Sequence, residues 1–251
     1  MPTERGSFRL FQIAGIEVFL HWTWFLVAAY AVQVWRFEFS SPIWAVYLYL
    51  GLFALVTMHE FGHALACRQM GGQADRIVLW PLGGIAFVRP PHRAGAMLWT
   101  IAAGPLVNVM LLPVLGLAVL AARRAGLDVQ DQDLFKTLSW IWKINGFLLL
   151  FNLVPIYPLD GGQILRALLW FPLGPARSLA IASGVGVIGA GLFGLGAILI
   201  GSWWYAIMAF FLLSQAVAGW RYARYLKWEA AAMEASLAPD GTPIGEKKPV
   251  L

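Results

Sequence analysis

The 251 residues are 60% hydrophobic and 12% charged, with 13 Trp and a mean hydropathy of +0.69. A typical soluble domain carries about 25% charged residues, so a water-soluble globule is excluded, and so is a disordered chain, which needs low hydrophobicity and high charge. A single Cys excludes an internal disulfide framework, and the net charge of +5 comes without a compact basic run interleaved with aromatics, so nucleic acid is not an expected partner.

About 20 apolar residues cross the hydrocarbon core of a bilayer. Six stretches qualify: about Ile16–Trp35, Ile43–Cys67, Ala96–Ala122, Leu138–Val154, Leu179–Gly201 and Trp203–Trp220. The first is not read as a cleavable signal peptide, because it is too long, carries Glu17 and His21, and lacks a small-residue cleavage site after it. After the second, Arg76–Trp80 and Ile85–Val88 are short β-prone runs around Pro81-Leu82-Gly83-Gly84. They predict a β-hairpin that is re-entrant or interfacial, since it is too short to span as a helix and too apolar for a solvated loop. After the fourth, Asn152–Gly162 holds two prolines and two glycines, which must end or break the helix. The last two stretches are separated by a very short turn and form a helical hairpin, about 179–220, whose Ala182, Gly186, Ala190 and Gly194 make a small-residue packing stripe. Residues 229–251 read as a flexible cytoplasmic tail.

Lys and Arg accumulate in cytoplasmic loops. With the N-terminus inside, 13 of the 18 Lys and Arg fall in inside segments and 5 outside. The expectation is an all-α polytopic membrane protein of about six transmembrane helices, with both termini cytoplasmic and a small hairpin after the second helix. Its single transmembrane domain covers 1–228, with a core at about 15–169.

Ionisable groups at membrane depth cost about 2.5–3.5 kcal/mol each on insertion scales and mark function by default. His59-Glu60-Phe61-Gly62-His63 stands out, near the cytoplasmic end of the second stretch. On a helix, histidines four apart share a face and can share one zinc, while the Glu after the first can reach a metal-bound water. A catalytic zinc needs a third protein ligand. Cys67 continues the four-residue spacing, but about 12 Å of helix rise separates it from position 59, so it reads as a small buried residue. Asp75 and His92 sit in or beside the hairpin without a motif to recommend them. Asp160 lies at the same membrane level as the His pair, in the broken Gly-flanked segment. Its carboxylate is either the missing ligand or the N-cap of the next helix; the metal's need for a third ligand favours the former.

These residues carry a resemblance. His59 through His63, Asn152 through Asp160-Gly161-Gly162, and Gly104-Pro105-Leu106-Val107-Asn108 together resemble the site-2 protease family of intramembrane zinc metalloproteases, over about Gly15 to Leu169. The resemblance implies one zinc ion held by His59, His63 and Asp160. It implies Glu60 as the base for a zinc-activated water that attacks a peptide bond in or near the transmembrane segment of a membrane-anchored substrate. It places the chain in the compact six-span subgroup, without the PDZ or CBS modules of many members. Control is then expected from outside the chain, by a regulatory membrane protein.

Asn108 and Asn152 are amides in otherwise apolar stretches. Each is either an oxyanion or substrate-positioning donor or a helix–helix hydrogen bond. Glu17 and His21 are four apart and so share a helix face, where they either pair with each other or line the wet catalytic cavity. The Gly71–Pro91 hairpin offers a strand edge for an extended peptide, or else anchors the chain at the interface. The rival classes are a transporter lined by intramembrane ionisable groups and a zinc-binding scaffold. An ion pathway has no need of the H-E-x-x-H spacing with a matched Asp, and the intact Glu60 argues against the scaffold.

Overall fold

The computed structural model describes residues 6–80 and 83–235. In chain order the elements are β1 (Ser7–Ile13), β2 (Ile16–His21), α1 (Thr23–Trp35), α2 (Pro42–Gln69), β3 (Gln73–Trp80), β4 (Gly83–Arg89), α3 (Ala94–Arg124), α4 (Leu127–Gln130), α5 (Gln132–Leu153), α6 (Asp160–Ile200) and α7 (Trp203–Ala235). The chain falls into two compact units. One holds residues up to Val154 with Leu159–Ile164; the other holds Pro155–Pro158 and the residues from Leu165 onward.

In the first unit the four strands form one sheet in the order β1-β2-β3-β4. β1 and β2 are an antiparallel hairpin closed by Ala14 (φ 51°) and Gly15 (φ 72°). Two successive left-handed residues suit a two-residue hairpin turn, at a cost of about 1 kcal/mol for the non-glycine position. Arg68, near the end of α2, donates guanidinium hydrogen bonds to the Ala14 and Gly15 carbonyls, the second at 3.0 Å, and holds this turn in place. β2 then runs parallel to β3, with Glu17 opposite Arg76 and Leu20 opposite Leu79, and β3 pairs antiparallel with β4.

The sheet's inner face follows the two-residue period of a strand. Ile16, Val18 and Leu20 are buried while Glu17, Phe19 and His21 are not. They join Ile77 and Leu79 of β3, Trp24 of α1, and Tyr49, Ala64 and Cys67 of α2 in the main apolar cluster. α2 starts with Pro at its first position and ends in a left-handed Gly71. There the Gly72 N–H reaches back to the Cys67 carbonyl at 2.9 Å and the Gly71 N–H to Arg68 at 2.9 Å, which turns the chain directly into β3. α2 also packs on α3 and α5. The α2–α3 approach requires Gly62, where a Cβ would lie 2.6 Å from the Ala103 carbonyl oxygen.

In the second unit α6 is interrupted at Gly174 (φ 74°), between Pro172 and Pro175. The small-residue stripe packs as its spacing predicts. A Cβ on Gly194 would meet that of Ala209 at 3.3 Å, and one on Gly186 would meet that of Ala216 at 3.1 Å, both on α7.

Four helices among the described residues are long and apolar enough to cross a membrane: Pro42–Gln69, Ala94–Arg124, Asp160–Ile200 and Trp203–Glu229. Several expectations change. The stretch Ile16–Trp35 is not one helix. Its first half is β2, because the alternation Ile16, Val18, Leu20 satisfies a strand that β1 and β3 pair on both sides, and only the 13 residues of α1 are helical. The chain is therefore mostly helical with a four-stranded sheet, not all-α. The expected hairpin is present as β3–β4, half of that sheet; its tip, Pro81 and Leu82, lies outside the described residues. Glu17 and His21 do not pair. At about 3.3 Å per strand residue they lie about 13 Å apart. Glu17 pairs with Arg9 at 3.2 Å, and His21 Nδ1 is 2.6 Å from the Thr23 hydroxyl. α7 continues to Ala235, and the rest of the segment read as a tail lies outside the described residues.

Candidate metal centre

The helix period puts His59 and His63 on one face of α2, and both are buried, at 6% exposure each. Their rings are anchored from behind by α3. His63 Nδ1 lies 2.9 Å from the Thr100 carbonyl oxygen, and His59 Nδ1 lies 2.6 Å from Asn108 Oδ1. A carbonyl only accepts, so Nδ1 of His63 must carry the proton and its Nε2 the lone pair. The two Nε2 atoms face each other at 3.1 Å, with the rings at 84°.

Asp160 closes the triangle from the first residue of α6. Its Oδ2 lies 3.0 Å from His59 Nε2 and 3.4 Å from His63 Nε2. The first bond of α6 runs from the Gln163 N–H to the Leu159 carbonyl at 3.0 Å, which places Asp160 inside the helix and Leu159 at the N-cap position. Asp160 Oδ2 is buried and receives no hydrogen bond. Gly161 brings it there: a Cβ at Gly161 would lie 2.3 Å from the Leu153 carbonyl oxygen, so only glycine lets α6 start against the end of α5. Gly104 of α3 clears the space for the imidazoles in the same way, since a Cβ would lie 2.3 Å from His63 Nε2.

With both imidazoles neutral, two lone pairs and a carboxylate oxygen facing one another repel, and burial removes the water that would separate them. A cation among them reverses the sign. Zinc–ligand bonds of about 2.0–2.2 Å in tetrahedral array put neighbouring ligand atoms about 3.3 Å apart, which matches the triangle. The set of two His and one carboxylate is one that zinc accepts with a fourth position open. Among the described residues, His59, His63 and Asp160 are the His, Cys, Asp and Glu side chains that come together in this way. Nδ1 anchoring by a carbonyl and an amide is what orients metal-binding histidines.

The other sequence candidates distribute as follows. Glu60 is buried, at 6% exposure, on the same turn of α2. Cys67 is buried and its thiol faces the Gln73 carbonyl oxygen at 3.4 Å; Asp75 sits 3.5 Å from an Arg68 guanidinium nitrogen at the surface. Neither they nor His92 join the triangle. His21 ends β2 with its ring on Thr23, and Asn152 is half-buried in the last turn of α5. Asn108 has its amide engaged at both ends, by His59 and by Asn145, whose Oδ1 accepts from Asn108 Nδ2 at 2.8 Å. It bridges helices and holds a histidine, where the sequence also allowed an oxyanion donor. Asn145 and Thr100 are absent from the sequence candidates. Asn145 carries the same signal as Asn108, an amide in an apolar stretch. Thr100 acts through its backbone carbonyl, for which a sequence holds no signal.

Comparison with known proteins points to zinc metalloproteases. The model of peptidase family M50 matches residues 47–125 and 115–193. A zinc metalloprotease of Methanocaldococcus jannaschii is 36% identical over 182 residues, 72% of this chain and 50% of that protein. The Synechocystis protein sll0528 is 32% identical across 94% of this chain and 65% of its own length. The chain thus spans about half to two thirds of these relatives. The solved structure of a site-2 protease from Methanocaldococcus jannaschii superposes with a TM-score of 0.58 at 29% identity, covering 85% of this chain and 95% of that one. The buried His-His-Asp triangle, the helices able to cross a membrane and these matches lead to one conclusion: the chain belongs to peptidase family M50, the site-2 protease family of zinc metalloproteases.

Proposed function

We propose that the chain is an intramembrane zinc endopeptidase that cleaves membrane-anchored proteins in or near a single transmembrane segment. The observation that carries this is the burial of the His59–His63–Asp160 triangle on helices able to cross a membrane, with Glu60 buried on the same turn. His59 and His63 present Nε2, and Asp160 supplies the negative charge that makes the set hold a cation. Zinc, when bound, supplies Lewis acidity that makes water a nucleophile near neutral pH and polarises a carbonyl. Glu60 accepts the proton of the attacking water and hands it to the amine that leaves as the C–N bond breaks. Asn152, in the last turn of α5 and eight positions before Asp160, positions the substrate backbone or its oxyanion. His21 lines the approach.

A helical substrate hides its peptide bonds and has to unwind. β4 is an edge of the sheet by strand order, and an extended substrate segment adds to it as a further strand. Substituting Phe87, which pairs with Arg76 across β3–β4, by proline then abolishes cleavage in a protein that still folds and binds zinc. The Lys and Arg distribution supports a multi-pass arrangement in the cell membrane with both termini and the metal site toward the cytoplasm. Control comes from a separate membrane protein.

The deciding experiment is reconstitution with single-span substrates and mapping of the products. Wild type gives chelator-sensitive cleavage within or beside the substrate's membrane segment. Glu60→Gln keeps its zinc and loses at least about a hundredfold in rate. A Glu60→Gln protein that cleaves at the wild-type rate overturns the assignment of the base.

A further inference from the structure

We infer that Asn145 on α5 is a positioning residue that dictates which nitrogen of His59 is offered to the metal, an inference that rests on the zinc reading of the site. Asn145 and Asn108 are both fully buried, at 0% exposure, and lie on different helices. Their hydrogen bonds form a directed chain. Asn145 Nδ2 lies 2.9 Å from the Asn108 backbone carbonyl oxygen. That oxygen can only accept, so it fixes the face of the Asn145 amide: nitrogen toward the carbonyl, oxygen toward the Asn108 side chain. Asn145 Oδ1, 2.8 Å from the Asn108 amide, in turn requires a donor, so Asn108 must present Nδ2 to it. Asn108 Oδ1 is then left for His59 Nδ1, 2.6 Å away, which must carry the proton. The lone pair of His59 is thereby placed on Nε2, beside His63 Nε2 and Asp160 Oδ2.

His63 needs no such relay, because the Thr100 backbone carbonyl sets its ring directly. The side-chain amide facing His59 has two opposite ends, and by itself it serves either tautomer. With Asn108 turned over, its NH2 group would face Nδ1, the proton would move to Nε2, and a donor would point into the ligand triangle. Asn145 removes that alternative. A carboxylate in place of the Asn108 amide has two equivalent acceptor oxygens and no wrong face, so it would free His59 from any dependence on Asn145.

That difference supplies the test. The full chain is purified in detergent without metal, as wild type, Asn145→Leu, Asn108→Asp and the Asn108→Asp/Asn145→Leu pair. Zinc affinity is measured by competition with a chromophoric chelator, and the His59 tautomer by nitrogen-15 NMR of histidine-labelled, metal-free protein. We expect Asn145→Leu to weaken zinc about 10–100-fold, the usual cost of losing an outer partner of a metal-binding histidine, and to populate the Nε2–H tautomer of His59. We expect the double variant to bind zinc within about threefold of Asn108→Asp alone, because the relay has been bypassed. Should leucine prevent folding, Asn145→Ser is read in the same two backgrounds. An equal loss of affinity in both backgrounds, or an Nδ1–H tautomer that persists without Asn145, overturns the inference and leaves Asn145 a helix-packing residue. Wild type that binds no zinc fails the functional reading instead, and the tautomer measurement still decides the role of Asn145.

Discussion

Gly104 of α3 lies directly against His63 of α2: a methyl group there would come within 2.3 Å of His63 Nε2 and 2.9 Å of His59 Nε2. Neither ring can yield, since His63 is held from behind by the Thr100 carbonyl and His59 by Asn108. Gly104→Ala is therefore expected to abolish zinc binding by displacing both imidazoles, with elemental analysis of the purified protein as the measurement. Retention of a full zinc complement would show that α3 can retreat from the site.

Gly161 supports the third ligand as Gly104 supports the first two. A Cβ at Gly161 meets the Leu153 carbonyl oxygen at 2.3 Å, which is backbone and cannot swing aside. Gly161→Ala should push the start of α6 away from α5 and carry Asp160 with it. Zinc affinity is expected to fall by at least about tenfold, while the His pair on α2 keeps its Nδ1 anchors. Cobalt substitution reads the change as a loss of the tetrahedral spectrum.

Gly62 stands between the two histidines in the chain and, like them, packs onto α3. Its replacement by alanine drives a Cβ to 2.6 Å from the Ala103 carbonyl oxygen and 2.8 Å from a Val107 methyl group. Overpacking of this kind costs about 1–3 kcal/mol. The expected result is a lower Tm in detergent for Gly62→Ala, accompanied by weaker zinc binding because the α2–α3 spacing also sets the histidine anchors.

Arg68 ties the end of α2 to the β1–β2 turn through the Ala14 and Gly15 carbonyls. Arg68→Ala leaves Ala14 in a left-handed conformation with its carbonyl unsupported. Faster amide hydrogen exchange in β1 and β2 is expected, with a stability loss of about 1–2 kcal/mol and zinc retained. Unchanged exchange across Ser7–His21 would assign the turn's stability to the strands alone.

The chemistry was more legible in the sequence than the scaffold around it. His59, Glu60 and His63 form a local pattern, and Asp160 lies at the membrane level of that pair in a broken, glycine-flanked segment. Asn108 is marked differently, as an amide in an otherwise apolar stretch, and that criterion also covers Asn145. The partner of Asn108 depends on which faces of α3 and α5 meet, which no local pattern encodes. Ile16 to Trp35 is apolar enough for a span throughout, so composition alone cannot separate its strand from its helix. Only the pairing of β2 with strands on both sides, one of them more than fifty positions away, decides that its first turns are extended. Asp160 followed from the need for a third ligand, whereas Thr100 contributes an atom that every residue possesses.

The parallel pairing of β2 with β3 joins Leu20 to Leu79, and everything between them, α2 included, becomes a closed circuit. During synthesis that circuit cannot close until β3 has followed α2 out of the ribosome, so the strand made first has to wait for the helix that bears the histidines. The ligand helix thus lies on a length of chain whose two ends are neighbouring strands of one sheet. Unpairing β2 from β3 altogether would open that circuit, whereas loss of the Arg68 contacts loosens only the turn at its start.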